Sequence, residues 1–60
     1  MRLLFTVNEA ARILSLSRPF IYRLIQRGEI ASLKVGGLRR IALEDLQKFV
    51  AQLRASQVEG

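Results

Sequence analysis

The feature that most constrains the fold is a short segment, Ser17 to Gly28, in which both ends of a helix are encoded. Ser17 is a typical N-cap, because its hydroxyl can accept a hydrogen bond from a backbone N–H of the first turn. Pro19 lies in that first turn, where the N–H that proline lacks would have no helical partner anyway. Gly28 suits the position just after a helix, where many helices have a residue in the left-handed conformation. These signals predict a helix from Ser17 to about Arg27.

The two faces of this helix differ in chemistry. At 100° per residue, Ile21, Leu24 and Ile25 fall on one side, which predicts a buried apolar face. The opposite side is short, basic and able to hydrogen-bond, and it comprises Pro19, Tyr22, Arg23 and Gln26. Such a face is typical of a surface that binds a partner, and its charge predicts an anionic one.

The charge of the whole chain supports the same interpretation. The formal net charge of the 60 residues is +5. Residues 12–40 hold seven basic residues and one acidic residue, whereas residues 41–60 hold two basic and three acidic ones. A basic middle segment is typical of a nucleic-acid footprint, although a solvated surface is the simpler alternative.

Length and composition exclude several classes of protein. Sixty residues predict a single domain, 1–60, with a core at 4–54 and a frayed tail at 55–60. Because the chain has no cysteine and no histidine, we expect no disulfide, no metal site and no cofactor. No apolar run is long enough to span a membrane. We therefore expect a cytoplasmic, nucleoid-associated protein with no membrane partner.

A second helix precedes the first segment. Thr6 and Glu9 have the spacing of a capping box, and apolar residues follow at helical intervals as Val7, Ala10, Ala11 and Leu14. Only Ser15-Leu16 separates this helix from the cap at Ser17. Two helices joined so tightly, the second with a basic outer face, are the pattern of a helix-turn-helix.

After Gly28 the period changes to that of strands. In the segment 31–35 the alternation puts Ala31, Leu33 and Val35 on one side, and 38–41 reads as the return strand with Ile41 inward. Gly36-Gly37 between them can adopt the positive φ angles of a hairpin turn. The tip is basic, and its charged residues are Lys34, Arg39 and Arg40. We interpret the hairpin as a wing that lies on a phosphate backbone; the alternative is an edge hairpin whose charges prevent strand pairing.

The last predicted element is a helix that begins near Ala42. It carries an apolar stripe, predicted to be buried, of Leu46, Phe49, Val50 and Leu53. Glu44 and Asp45 in its first turn suit the helix dipole and should turn away from an anionic partner. The predicted fold is therefore mainly α with a small β-hairpin: a winged helix-turn-helix of three helices and a two-stranded wing.

The segments T-V-N-E-A-A-R-I-L-S-L-S-R-P-F-I-Y-R-L-I-Q-R-G-E-I, K-V-G-G-L-R-R-I and E-D-L-Q-K-F resemble the excisionase family of MerR-like winged helix-turn-helix proteins. The resemblance covers about Leu4 to Val50. It implies a recognition helix in the major groove and a wing on phosphates or in the minor groove. The chain departs from the family pattern at Ser15, where glycine is common, at Phe20, where threonine is common, and at Ala42, which leaves the last helix without a good cap.

The predicted DNA-binding residues fall into two sets. The recognition helix supplies Ser17, Arg18, Pro19, Tyr22, Arg23, Gln26 and Arg27. The wing supplies Lys34, Gly36, Gly37, Arg39 and Arg40. We expect Arg23 to read bases, Arg18 to contact phosphate, and Arg40 to be a safer wing contact than Arg39, which alternates toward the core.

The resemblance implies an excisionase that binds double-stranded DNA, bends it and assists an integrase in site-specific recombination. A small transcription regulator of the same fold is the alternative. So small a unit should act as adjacent copies that self-associate on directly repeated half-sites. A basic adaptor for an acidic protein uses the same face. We do not expect an enzyme that takes a small-molecule substrate, because no carboxylates converge by spacing and caps, solvent or the helix dipole explain each of them.

Overall fold

The computed structural model describes residues 1–57 of the chain. Three helices and three short strands follow one another in the order β1 Leu4–Phe5, α1 Val7–Leu14, α2 Arg18–Gln26, β2 Leu33–Val35, β3 Leu38–Ala42 and α3 Leu43–Ser56. The helices surround one core, and β2 and β3 form a hairpin that projects from it. This confirms the predicted fold, a mainly helical domain with a hairpin wing.

The capping box predicted at the start of α1 is confirmed. The Oγ1 of Thr6 accepts a hydrogen bond from the N–H of Glu9 at 3.0 Å, and the Glu9 carboxylate accepts one from the N–H of Thr6 at 2.8 Å. Arg2 adds a two-pronged ion pair to the same carboxylate, with both N···O distances 2.6 Å. These donors lower the pKa of Glu9 to about 2, the Arg2 guanidinium contributing most.

The turn between α1 and α2 is closed by backbone hydrogen bonds. Ser15 adopts a left-handed conformation with φ 58°, and the N–H of Leu16 donates to the carbonyl of Ala11 at 2.8 Å. This is the geometry in which glycine is usual, because a Cβ is unfavourable at positive φ. Serine therefore preserves the turn that glycine would form, and the short link fixes α2 relative to α1.

The sheet has one strand more than the sequence predicted. Its order is β1-β3-β2, and the strand missed is β1, whose Leu4 and Phe5 pair with Ala42 and Ile41. At the same edge the carbonyl of Leu3 accepts a hydrogen bond from the N–H of Leu43 at 2.8 Å. Ala42 offers no side-chain cap, as expected, so this backbone carbonyl satisfies a first-turn N–H of α3 instead.

The core draws on all three helices and the central strand. Its buried members are Val7, Ala10, Ala11, Ile21, Leu24, Ile30, Ile41, Leu46 and Phe49. Ile30 is only 1% exposed although it lies in the loop after α2, and the sequence analysis did not identify it. Backbone hydrogen bonds from Glu29 and Ile30 to the carbonyl of Leu24, at 2.9 and 3.4 Å, fold this loop under α2.

The prediction that the whole apolar stripe of α3 is buried is wrong. Val50 and Leu53 are 40% and 37% exposed, so only Leu46 and Phe49 of the apolar stripe are buried. Within residues 1–57, no strand or other helix buries this part of α3. The tail predicted to fray from residue 55 is helical to Ser56, and the N–H of Gln57 donates to the carbonyl of Leu53 at 3.1 Å. The rest of that tail, 58–60, lies outside the described residues.

Candidate nucleic-acid interface

The ends of α2 are fixed as the sequence predicts. The Oγ of Ser17 accepts a hydrogen bond from the N–H of Phe20 at 3.3 Å, and Pro19 lies in the first turn. At the other end Arg27 is the C-cap and Gly28 follows with φ 77°. Because Ile21 and Leu24 anchor the inner face in the core, the outer face of α2 has a fixed direction.

That outer face is exposed along its whole length. Six of the seven predicted recognition residues lie at the solvent surface, namely Ser17, Arg18, Pro19, Arg23, Gln26 and Arg27. The seventh, Tyr22, is half-buried against the core, so the prediction that it points directly outward is wrong. Its helical angle explains this, because Tyr22 lies on the flank between the outer face and the buried side.

Tyr22 organises this flank of the helix. Its hydroxyl accepts a hydrogen bond from the guanidinium of Arg18 at 3.3 Å, and the same guanidinium carbon lies 5.2 Å from the centre of the Tyr22 ring. A cation over an aromatic face is an attractive arrangement. Arg18 is therefore held against α2 with its remaining N–H groups available to a ligand.

A small basic cleft joins this flank of α2 to the wing. Its volume is about 180 Å³, and its walls are Thr6, Val7, Asn8, Arg18, Tyr22, Leu38, Arg39 and Arg40. Three arginines, one from α2 and two from β3, thus line a cleft together with the first turn of α1, whose N–H groups carry a partial positive charge. Thr6 and Asn8 were not predicted to belong to this surface, since only the fold brings α1 beside the wing.

The wing turn has the predicted backbone geometry. Gly36 and Gly37 have φ angles of 59° and 80°, both in the left-handed region that a tight hairpin turn uses. Beyond the turn, Arg39 is half-buried and donates from its guanidinium to the Oγ of Ser32 at 2.9 Å. The Arg40 guanidinium donates to the carbonyl of Arg39 at 2.8 Å.

The apolar face of the wing is exposed. Leu33 pairs with Arg40 and Val35 with Leu38, and paired residues share a face. That face is opposite to the one on which Ile41 enters the core, because neighbours along a strand point to opposite sides. The alternation of Leu33 and Val35 is therefore as predicted, but both side chains are exposed, and so is Ala31, which lies before β2.

Most of the basic side chains on this surface have no acidic partner. Within residues 1–57 the two ion pairs are Arg2 with Glu9 and Arg27 with Glu29, the second at 3.6 Å. Five cations of the candidate interface have no carboxylate partner in that part of the chain: Arg18, Arg23, Lys34, Arg39 and Arg40. Their charge is available to an anion.

Across 1–57 no cluster of three or more His, Cys, Asp or Glu side chains could hold a metal ion. None of the helices in that range is long and apolar enough to cross a membrane.

Comparison with known proteins agrees with this geometry. Residues 4–54 match the family described as helix-turn-helix domain. A "Probable excisionase" of Saccharopolyspora erythraea is 45% identical over 56 residues, which are 93% of this chain and 57% of that protein. An uncharacterised protein of Mycobacterium tuberculosis is 34% identical over 55 residues, 92% of this chain and 48% of the relative.

An uncharacterised protein of Bacillus subtilis is 34% identical over 53 residues, 88% of this chain but 17% of the relative. The chain thus spans about half the length of the first two relatives and much less of the third. No solved structure matches it significantly.

Proposed function

Because the chain belongs to the helix-turn-helix domain family, we propose that it binds double-stranded DNA sequence-specifically through α2 and the wing. The observation that carries this proposal is the continuous basic surface from the outer face of α2 through the cleft to β3. Arg23 lies at the centre of the α2 face, and Arg18 and Arg40 line the adjoining cleft without acidic partners. The surface suits one major groove and the phosphates beside it.

The two parts of the surface have different roles in this proposal. Arg23 donates to O6 and N7 of a guanine, the commonest specific contact that an arginine makes in the major groove. Arg18, held on Tyr22, and the first turn of α1 contact phosphate, which fixes the position of the helix without reading sequence. Arg40 and Lys34 extend the phosphate contacts, and Arg39 supports them from its bond to Ser32.

At the level of the cell, we propose an excisionase. In this role the protein bends its DNA, assists an integrase in site-specific recombination and self-associates as adjacent copies. Support comes from the name of the Saccharopolyspora relative and from the small size of the interface, since a module of this kind buries only roughly 600–1,000 Å². No catalytic step or cofactor is part of the proposal, and the protein acts at the nucleoid.

A small transcription regulator is the second candidate. The same surface serves it equally well, because binding a promoter needs no recombinase. Purified integrase and a circular substrate with both attachment sites distinguish the two roles. An excisionase raises the yield of excised product, and phasing or circular-permutation assays detect its bend. A protein that binds the site without either effect is a regulator.

The base-reading role is tested by Arg23→Ala on a site obtained by selection from random DNA. We expect a loss of about 1–3 kcal/mol on the selected site and a relaxed preference at one base pair. Arg18→Ala is the matched control, because a lost phosphate contact weakens selected and mixed-sequence DNA alike. Equal weakening of both DNAs by Arg23→Ala would remove Arg23 as a base reader.

Salt dependence separates DNA binding from the adaptor alternative. Each phosphate neutralised contributes a slope of about −0.9 to the plot of log K against log salt for duplex DNA. We expect several such contacts on mixed-sequence DNA. A protein that binds acidic proteins through this face would instead have negligible affinity for DNA at low and at high salt.

A further inference from the structure

A second surface of the molecule is apolar and is left open by the other elements within residues 1–57. It is a groove of about 580 Å³ between the end of α1 and one side of α3. From α1 it is lined by Ile13 and Leu14, and Ile13 is 54% exposed. From α3 it is lined by Leu43, Leu46, Gln47, Val50, Ala51 and Arg54. None of these residues belongs to α2 or to the wing.

The spacing of the α3 residues is that of a helix-packing seam. Leu43, Gln47, Val50 and Arg54 follow one another at intervals of four, three and four, which keeps them on one stripe. Ala51 lies beside that stripe and has a small side chain, so another backbone can approach closely. The stripe therefore has the form of a surface that receives a helix.

The charges along α3 select the direction of that helix. Glu44 and Asp45 lie in its first turn and Arg54 in its last. An antiparallel copy of α3 brings each Arg54 beside Leu43 and Glu44 of the other copy, and Gln47 beside Val50. A parallel copy would bring the two Arg54 side chains together. It would also place the like ends of the two helix dipoles side by side, which is unfavourable. The charges of α3 are thus complementary to those of a second α3 that runs in the opposite direction.

From this self-complementarity we propose that the groove binds α3 of a second copy of the chain, in an antiparallel arrangement with two-fold symmetry. Each α3 packs between α1 and α3 of the other copy, so the same patch serves both partners. The exposed apolar side chains of Ile13 and Val50 become buried. Since the groove and the basic surface have no residue in common, pairing leaves α2 and the wing free.

The dimer has a consequence for DNA that rests on the proposed function. Two-fold symmetry turns the two recognition helices toward inverted half-sites, whereas the sequence alone suggested direct repeats. The shared patch is small, because α3 is only 14 residues long. We therefore expect a weak dimer in solution that DNA with two half-sites strengthens by raising the local concentration.

Analytical ultracentrifugation of the whole chain, up to about 1 mM, tests the dimer. We expect a concentration-dependent monomer–dimer equilibrium that Val50→Glu weakens about tenfold or more, since it buries a charge in the apolar seam. Gln52→Glu is the matched control, because it adds the same charge to an exposed position of α3 outside the groove. Circular dichroism checks that both variants keep the fold.

Charge exchange tests the antiparallel direction. Glu44→Arg and Arg54→Glu should each weaken association about two- to fivefold, as exposed ion pairs do. The double variant E44R/R54E restores the pairing with the signs reversed and should return to the affinity of the parent. A double variant no better than either single one would overturn the antiparallel register.

The absence of native cysteine allows a direct geometric test. When Gln47→Cys and Val50→Cys chains are mixed under mild oxidation, the mixed disulfide should form readily. Arg54→Cys alone should not cross-link, since the two copies of residue 54 lie at opposite ends of the antiparallel pair. Rapid cross-linking of Arg54→Cys would identify a parallel pair instead.

Three results would overturn the proposal: a monomer at every concentration, a dimer that Val50→Glu leaves unchanged, or equal loss of association in Leu38→Glu, which would assign the contact to the wing. Binding to DNA with one half-site keeps these outcomes apart from failure of the proposed function. We expect Val50→Glu to bind a single half-site like the parent and to lose cooperativity on two inverted half-sites.

Discussion

The helix-turn-helix and the wing are adjacent in sequence but are stabilised in different ways. In α1 and α2 each N-terminus has a side-chain cap, and Ile21 and Leu24 lock the second helix onto the first. In the hairpin, Leu33, Val35 and Leu38 are all exposed, and β3 alone is anchored in the core, through Ile41. One region is fixed by burial and the other by backbone pairing.

The difference teaches that the two regions suit different parts of DNA recognition. Base reading needs side chains held within a fraction of an ångström, which a helix anchored in a core provides. Phosphate contact tolerates variation, because a charge acts over several ångströms. The rigid region therefore carries the proposed base reader and the less buried region the proposed backbone contacts.

The largest expected effect comes from breaking the single anchor of the wing. Ile41→Ala removes a fully buried side chain, and we expect it to cost about 2–5 kcal/mol of unfolding free energy. That is comparable with the total stability of about 5 kcal/mol expected for so short a chain. Leu38→Ala, in the same strand but 57% exposed, should change stability by less than about 0.5 kcal/mol. Urea unfolding of both variants measures the contrast, and equal losses would contradict it.

A smaller effect is expected at the caps of the rigid region. Thr6→Ala removes the acceptor for the Glu9 N–H, and we expect a loss of about 1 kcal/mol in thermal or chemical unfolding. Lys34→Ala, at an exposed wing position, is the control and should fall within about 0.5 kcal/mol of the parent. If Lys34→Ala destabilised the domain as much, the wing would hold the fold as firmly as the helices do.

The two adjacent wing arginines should separate binding from stability. Arg40→Ala should lower affinity modestly and reduce the salt slope by about 0.9, the loss of one phosphate contact. Arg39→Ala should instead lower the unfolding temperature, because it loses a hydrogen bond to the side chain of Ser32, whereas the Arg40 guanidinium bonds only the backbone carbonyl of its neighbour. Circular dichroism and a salt titration of both variants check the division. Identical changes in affinity and stability in the two variants would contradict this division of roles.

The smallest expected effect is one of pH. The pKa of Glu9 lies at about 2, below its ordinary value of 4.5, because Arg2 and the Thr6 backbone donate to the carboxylate. A depressed pKa stabilises the folded state above pH 4.5, and the stabilisation is lost as the pH falls toward 2. The unfolding free energies of the parent and of Glu9→Gln should therefore converge over that interval. If the difference in unfolding free energy between the two proteins stayed constant with pH, the charge of Glu9 would not contribute to stability.

The predictable part of the fold was the part encoded locally. Thr6, Ser17 and Gly28 act within one helical turn of their own positions, so a single sequence reveals them. The candidate interface on α2 followed from the same periodicity, except that Tyr22 sits on the boundary between two faces. Residues that depend on distant partners were missed: β1 has two residues and pairs only once β3 is in place, and Ile30 lies outside any periodic pattern.

The predictions for the buried face of the hairpin and for the end of α3 were wrong for a related reason. Alternation at Leu33 and Val35 identifies a shared face but not the side on which the core lies, and register with β3 decides that. Likewise, the helical periodicity that includes Val50 predicts an apolar face but does not identify an element that packs against it. The cleft could not be predicted from the sequence, because Asn8 and Arg39 line it together but are far apart in sequence.

The pairing of β1 with β3 also orders the events of folding. Leu4 and Ala42 are far apart in sequence, so their contact closes a loop that contains both helices of the helix-turn-helix. Closing a long loop costs more chain entropy than joining neighbouring helices, which makes it a late step. The Leu3 carbonyl that caps α3 belongs to the same step. We therefore expect α2 to gain its support early in folding, and α3 to be secured only when β1 pairs with β3.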